Sequence, residues 1–288
     1  MAQTFIPARV VVTAHPQLSD ALKEAGAISE YLKGRNIDAP HGSLNDEDLR
    51  MQVKQGHFDM LVAVGGDGTM LRAAHLCAPC SVPILGINHG RLGFLFQTES
   101  EHWTRMIDSL LNGEGWIENR MMLHADHLRG GESISAWYAL NDVVVSRGQF
   151  VRPVHLSASV DGLQLTTYVA DGLIASTPTG STAYALAAGG PILPPEIRNI
   201  LLIPIAPHLS MDRAVVLSEG SSVRITVLSE NTVMSVDGQT PIGLAEDDHV
   251  DIRAAEYTAR FIRFGDAGYF YRNLTTHMNQ NPSLGLRR

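Results

Sequence analysis

The chain has 288 residues, 44% of them hydrophobic and 18% charged, which is enough apolar length for the cores of two ordinary domains and too much for a disordered polymer. A formal net charge of -8 argues against a general polyanion binder, because affinity for a phosphate backbone comes largely from clustered Lys and Arg, although a local cationic pocket is compatible with it. No run approaches the roughly 18 apolar residues of a membrane span, and MAQTFIPARVVVTAHP lacks the basic-then-apolar layout of a secretory signal; the expectation is a cytoplasmic protein with no membrane or nucleic-acid partner.

In chain order, ARVVVTA reads as a strand, LSDALKEAGAISEYLKGR as an amphipathic helix ending in basic residues, FDMLVAV as a second strand and GTMLRAAHL as the next helix. PILGIN follows as a third strand and ESEHWTRMIDSLLNGEG as a helix stopped by glycines. Strands separated by helices predict a parallel sheet with crossover helices, and ligands then tend to lie at the carboxyl ends of the strands. After about Trp116 the pattern changes. WIENRMMLHADHL, SISAWYALNDVVVSRG, PVHLSASVDG, LQLTTYVADGLIAST, RAVVLSEGSSVRITVL, NTVMSVDGQT and HVDIRAAEYTARFIRF read as strands separated by turn residues. TGSTAYALAAGGPI is the exception, a short helix stopped by a double glycine. The expected fold is an α/β N-terminal domain with a parallel sheet, residues 1–118, and a β-rich C-terminal domain, residues 119–266. Residues 267–288 form a polar tail, frayed or packed back on the first domain.

Two cysteines, Cys77 and Cys80, have the C-x-x-C spacing of a redox pair. They fall at the end of a predicted helix, away from the helix N-terminus that stabilises a thiolate, so the redox reading is the weaker one. His124 and His127 lie three apart in a predicted strand and face opposite sides, which removes them as a zinc pair. The acidic run AEDDHVD reads as an exposed turn, and no metal is assigned to protein side chains.

The segment Gly65-Gly66-Asp67-Gly68-Thr69 joins a strand to a helix. It lacks the lysine of a Walker A loop and the G-x-G-x-x-G spacing of a dinucleotide fingerprint. What it offers is backbone without Cβ crowding beside a helix N-terminus, an anion cradle. A carboxylate beside phosphates is repulsive unless it accepts a proton or meets a metal ion, so Asp67 is either a general base for phosphoryl transfer or a cap of the turn and helix. Arg72 and Arg91 follow closely enough to neutralise phosphate charge, with plain solvated arginines as the alternative. Further on, DGLIASTPTGSTAY carries Ser176, Thr177, Thr179, Ser181 and Thr182, hydroxyls suited to ribose and phosphate oxygens, and Tyr184, which could border a base. Helix capping accounts for one or two of them.

GGDGT, GINHGRLGFL, Asn141-Asp142, DGLIASTPTGSTAY, GGPI, PIAPH and VDGQ occur in the order found in the NAD kinase family, which the chain resembles over nearly its whole length. The hydroxyl-rich block is the specific element; the GGDGT loop alone is shared with lipid kinases of the diacylglycerol type and, more loosely, with phosphofructokinases. The resemblance implies transfer of a terminal phosphoryl group from ATP or polyphosphate to the 2'-hydroxyl of the adenosine ribose of NAD, with Asp67 as base and NAD held between the two domains. It implies substrate contacts at Gly66, Gly68, Thr69 and Arg72 in the loop and at Asn141 and Asp142. It further implies contacts at Asp171 near the adenine, at Thr179, Thr182, Ala183 and Tyr184, and at Asp237 and Gln239. A divalent cation, Mg2+, held mainly by donor phosphates, and assembly as a homodimer or homotetramer belong to the same resemblance.

Some positions depart from the family pattern. Asp142 stands where glutamate is common and is one methylene shorter, Ala187 replaces a frequent serine, and Met211-Asp212-Arg213 replaces a more usual Arg-Pro pairing. Two rivals remain on sequence grounds. One is a lipid or sugar kinase sharing the glycine-aspartate loop; the other is a non-catalytic NAD(P) sensor, which would have little use for Asp67.

Overall fold

The computed structural model describes residues 5–89, 93–97, 102–149, 151–208 and 211–279, with side chains to Leu274. The chain divides into two compact units, residues 1–119 with 259–288, and residues 120–258.

The first unit begins with β1 (Val10–Ala14), every residue of which is buried. Helix α1 (Ser19–Lys33) buries Ala21, Ala25, Ile28, Ser29 and Leu32, a stripe at helical spacing, with Asp20 in its first turn and Lys33 in its last to complement the helix dipole. A short strand, β2 (His41–Ser43), and α2 (Glu47–Lys54) follow. Neither is among the predicted elements, because β2 has three residues and α2 buries only Val53. Asp46 starts α2, accepting the amides of Asp48 and Leu49 at 3.0 and 3.1 Å.

Strand β3 (Met60–Gly65), helix α3 (Asp67–Cys77), strand β4 (Ile84–Asn88) and helix α4 (Trp103–Leu111) complete this part, as their sequence patterns predict. The strands run parallel in the order β2-β1-β3-β4. β1, β3 and β4 are buried throughout, as a sheet covered on both faces requires, which is why they read as unbroken apolar runs. Gly86 on β4 admits Met70 of α3; a Cβ there would lie 2.8 Å from its sulfur.

The second unit is a β-sandwich, built from β5 (Trp116–Arg129), β6 (Glu132–Ala139), β7 (Asp142–Arg147), β8 (Val154–Val160), β9 (Leu163–Ala170) and β10 (Gly172–Ser176). Helix α5 (Tyr184–Ala187) interrupts the strands. Then come β11 (Asn199–Ile205), β12 (Val215–Ser218), β13 (Val223–Val227), β14 (Thr232–Val236), β15 (Ile242–Leu244) and β16 (His249–Arg263). A six-stranded antiparallel sheet runs β12-β11-β10-β7-β14-β15. Its inner face contributes Val143, Val145, Leu173, Ala175, Ile200 and Leu202 to a core shared with Leu156, Ala158, Ile225 and Ile252 of the facing strands. Its outer face carries a smaller apolar cluster of Val144, Ile174, Leu201 and Ile203 beneath Ala185 and Leu193.

The structure corrects several of these expectations and adds a strand. SISAWYALNDVVVSRG is two strands, broken at Leu140-Asn141, and LQLTTYVADGLIAST is two, broken at Asp171. NILLIPI forms the strand β11, apolar after its first residue, and its lack of alternation hid it. The stretch from residue 269 is helical, α6 (Tyr269–Asn279), rather than only a frayed tail. The second boundary falls at 258/259 instead of 266, since Phe261 of β16 pairs in parallel with Ile84 and Ile262 enters the first unit's core.

Candidate active site

At the carboxyl end of β3, the amides of Thr69 and Met70 close the first helical bonds of α3 onto Gly66 O at 2.8 and 3.2 Å. The amides of Asp67 and Gly68 therefore precede the helical ladder, at a helix N-terminus whose backbone dipoles favour an anion. The glycines divide the work. A Cβ on Gly65 would sit 2.3 Å from Thr69 Oγ1, so this glycine is demanded by packing, whereas a Cβ on Gly66 or Gly68 would meet nothing within 4 Å among the described residues. Those two positions keep open the space over the helix N-terminus that phosphates would use.

Asp67 is the first residue of α3 and half-buried. The Gly93–Leu95 segment lies over it: Leu95 N donates to Asp67 Oδ1 at 3.4 Å, and a Cβ on Gly93 would come within 2.0 Å of the same oxygen. That cover is tied down from behind. Arg263 Nη1 donates to Leu95 O at 3.0 Å, its Nε pairs with Glu118 Oε2 at 2.8 Å, and Tyr269 donates its hydroxyl to Glu118 at 2.8 Å. Arg263 and Glu118 are 2% and 5% exposed, a buried ion pair. Glu118, Arg263 and Tyr269 are not among the residues the sequence singles out; they lie some 50 to 200 residues from Asp67 with no local motif around them.

Thr69 does not present its side chain to the loop. At 1% exposure it packs beneath Gly65, its hydroxyl buried without a hydrogen-bond partner among the described residues. Arg72 is exposed on α3, and Arg91 lies outside the described residues.

In the second unit a cavity of about 420 Å³ on the outer face of the six-stranded sheet is lined by Asn141, Asp142, Val144, Ser146, Ala183, Tyr184, Ser235 and Asp237. Its volume lies in the ~300–1,000 Å³ range of small-molecule sites. Val144 gives an apolar floor and the exposed ring of Tyr184 a wall, a suitable setting for a flat ring.

Residues 140–142, where the expected single strand breaks, are held at every backbone group. Asp237 accepts the amides of Leu140, Asn141 and Asp142 at 2.8, 2.8 and 3.0 Å. Thr177 donates its hydroxyl to Leu140 O at 2.5 Å, and Ser176 Oγ and Thr177 N donate to Asn141 O at 3.1 and 2.8 Å. Asp237 N closes the set on Asp142 O at 3.0 Å. Gly180 is required by the same close packing, because a Cβ would stand 2.1 Å from Asn141 O.

The hydroxyl block is therefore largely framework. Ser176, Thr177 and Ser181 are 0% exposed; Ser181 bonds Pro178 O at 2.6 Å and accepts Leu193 N at 2.9 Å. Thr179, 6% exposed, accepts from the buried Arg120 at 3.1 Å, and Thr182 donates to Thr179 O at 3.1 Å. These side chains shape the turn that delivers Ala183 and Tyr184 to the cavity; the reading of the block as hydroxyls suited to ribose and phosphate oxygens is corrected for Ser176, Thr177 and Ser181, which are buried on backbone groups. Asp237 lines the cavity, but its oxygens hold backbone amides. Gln239 is exposed beyond the lining residues, and Asp171 pairs with Arg147 at 3.1 Å at the far end of β10.

Asp142 is 5% exposed, and burial first and the nearby Asp237 charge second push its carboxyl up to about 7. The other side-chain candidates resolve structurally. Burial raises the Cys77 thiol, and burial likewise raises Cys80, the opposite of a reactive thiolate. His127 bonds the buried Asp248 at 2.8 Å while His124 stacks on Tyr138 at 4.8 Å between ring centroids. Asp248 is itself 0% exposed, so the acidic run AEDDHVD is not wholly an exposed turn.

An α/β unit with a glycine-aspartate loop at a helix N-terminus and a β-sandwich carrying a ring-sized cavity define a nucleotide-dependent phosphotransferase. The family comparisons agree. Residues 10–115 match the ATP-NAD kinase N-terminal domain and residues 140–264 the ATP-NAD kinase C-terminal domain, so the chain belongs to the NAD kinase family. The chain is 43% identical over 225 residues to an NAD kinase of Heliobacterium modesticaldum, covering 77% of this chain and 79% of that one. It is 35% identical over 274 residues to one of Chloroflexus aurantiacus, covering 95% and 99%. Among solved structures, an NAD kinase from Archaeoglobus fulgidus in complex with ATP matches at TM-score 0.75 and 28% identity, over 93% of this chain and 97% of that one. Yeast NADH kinase complexed with NADH matches at TM-score 0.84 and 24% identity, over 96% and 89%, a likeness of fold.

Proposed function

We propose that the chain is an NAD kinase that transfers the terminal phosphoryl group of ATP to the 2'-hydroxyl of the adenosine ribose of NAD, giving NADP. The observation that carries this reading is Asp67, a carboxylate at the first turn of α3, flanked by two glycines, Gly66 and Gly68, whose Cβ positions meet none of the described residues. In the mechanism, the loop amides and the helix N-terminus hold donor phosphates, and Asp67 takes the proton as the ribose oxygen attacks phosphorus. Gly93 and Leu95 set the orientation of the carboxylate. Asn141, Asp142, Ala183 and Tyr184 are assigned to the dinucleotide, with Thr179 and Thr182 acting through the turn.

Among the described residues no three His, Cys, Asp or Glu side chains gather into a metal site. A loop with one carboxylate fits a divalent cation such as Mg2+ held mainly by the donor's own phosphates, which would supply charge neutralisation. A cytoplasmic location belongs to the same proposal; no described helix is long and apolar enough to cross a membrane. Contacts from Asp171 to an adenine belong with assembly of two or four copies, which light scattering would detect as a mass twice or four times that of the chain.

The decisive assay supplies purified protein with NAD, magnesium and either ATP or polyphosphate, and reads NADP through an NADP-specific dehydrogenase. NADP formed with ATP is the expected result, and formation with polyphosphate alone extends the donor range. Dinucleotide binding with no NADP from either donor overturns the catalytic reading.

A further inference from the structure

Asp142 is a nearly buried carboxylate, 5% exposed, that lines the cavity of the second unit, with no side-chain hydrogen bond or ion pair to it among the described residues. Buried carboxylates are ordinarily paired or bonded, so one aimed into a cavity is in want of a donor or a proton. A second carboxylate, that of Asp237, lines the same cavity, and its charge acts on Asp142. Asp237 grips the three amides of Leu140, Asn141 and Asp142 from a backbone at φ 48°, a left-handed conformation that Asp tolerates better than most residues. Other charged or titratable groups around the segment are directed elsewhere or at the rim: Arg120 bonds Thr179 Oγ1, Arg147 pairs with Asp171, and the Tyr184 phenol borders the same cavity.

We propose that Asp142 and Asp237 form a proton-linked pair: the ligand-free protein carries a proton on Asp142, and a ligand whose hydroxyl needs an acceptor there drives that proton into solvent. Asp237 is the positioning residue, acting through its charge and its hold on the Asp142 backbone. The inference rests on the dinucleotide reading above for the identity of the ligand, a ribose-bearing molecule that brings the hydroxyl. No covalent bond changes in the ligand; one O–H bond at Asp142 breaks, its proton goes to buffer, and the ligand O–H becomes the donor to the freed carboxylate.

The sign follows from linkage. A carboxyl that titrates at about 7 in the ligand-free protein must be ionised to accept the ligand hydroxyl, so binding releases protons below and around that pH. Affinity then falls as the solution becomes more acidic, by about tenfold between pH 8 and pH 6.

Two measurements test the pair. In the ligand-free protein, infrared titration should show a protonated carboxyl band that disappears around pH 7 and is missing from Asp142→Asn; no such band overturns the proposal whatever the ligand is. Calorimetric titration of the whole chain with NAD, in phosphate and in Tris, should show release of about half a proton at pH 7, rising at pH 6 and vanishing by pH 8.5. Asp142→Asn should abolish the release. Asp237→Asn should move its midpoint to lower pH, and Asp237→Glu should restore it. NAD binding with no buffer-dependent heat overturns the coupling, and a folded Asp237→Asn with an unmoved midpoint overturns the role of Asp237. Should Asp237→Asn fail to fold, the wild-type and Asp142→Asn titrations still decide. No binding of NAD at any pH counts against the dinucleotide reading, while the infrared band decides the pair separately.

Discussion

The glycine loop of the first unit and the hydroxyl block of the β-sandwich are alike on paper, each a small-residue stretch leading into a helix, yet they use their polar atoms differently. In the loop, Cβ atoms on Gly66 and Gly68 would meet none of the described residues, and the amides of Asp67 and Gly68 stand ahead of the helical ladder. In the block, Ser176, Thr177 and Ser181 are fully buried and bonded to backbone. In the proposed site the loop would present backbone to a ligand, whereas the block uses its side chains to hold other residues, Asn141 among them, at the cavity. Small polar residues thus draw attention to both regions, but only burial separates a candidate contact from its support.

The contrast breaks most sharply at Asp67. Asp67→Asn should lower kcat by about 10²- to 10⁴-fold with little change in KM for NAD, the loss expected of a general base. Steady-state rates measure it, and a variant with near-normal kcat rejects the assignment.

Next in size is the hidden support of the first unit. Arg263→Met leaves Glu118 buried without its cation and frees Leu95 O, so unfolding in urea should show a loss of about 3–5 kcal/mol. Because the same arginine tethers the segment over Asp67, kcat should fall in whatever fraction remains folded.

In the second unit, Gly180→Ala forces a Cβ to within 2.1 Å of Asn141 O. Overpacking of this kind costs about 1–3 kcal/mol, and the displaced Asn141 should raise KM for NAD more than it lowers kcat. An unchanged melting temperature and KM would show that the turn relaxes freely.

The smallest expected effect sharpens the comparison best. Thr177→Val removes the donor to Leu140 O and the acceptor of Gly180 N (3.0 Å), at a cost of about 1–2 kcal/mol in stability. If Thr177 is framework, stability and KM change together. A KM change with an unmoved melting temperature would return the hydroxyl to the ligand.

Much of the molecule is legible in its sequence because local periodicity and local chemistry coincide there. The apolar runs of β1, β3 and β4, the stripe along α1 and the glycine-aspartate loop all express rules that act over a few residues, and the order of motifs is enough to identify the family. What escaped has a common cause. The break at Leu140-Asn141 is made by Asp237, almost a hundred residues on, and nothing in ALNDVVV announces it. The cover over Asp67 is anchored by Glu118 and Arg263, whose pairing spans 145 residues. Sequence by itself determined which residues would be apolar, where the loop would turn and which carboxylate would stand at the helix start. Only the tertiary structure decided which hydroxyls face inward and which acid is left nearly buried without a cation, because hydrogen-bond partners and solvent access are set by residues brought together in space.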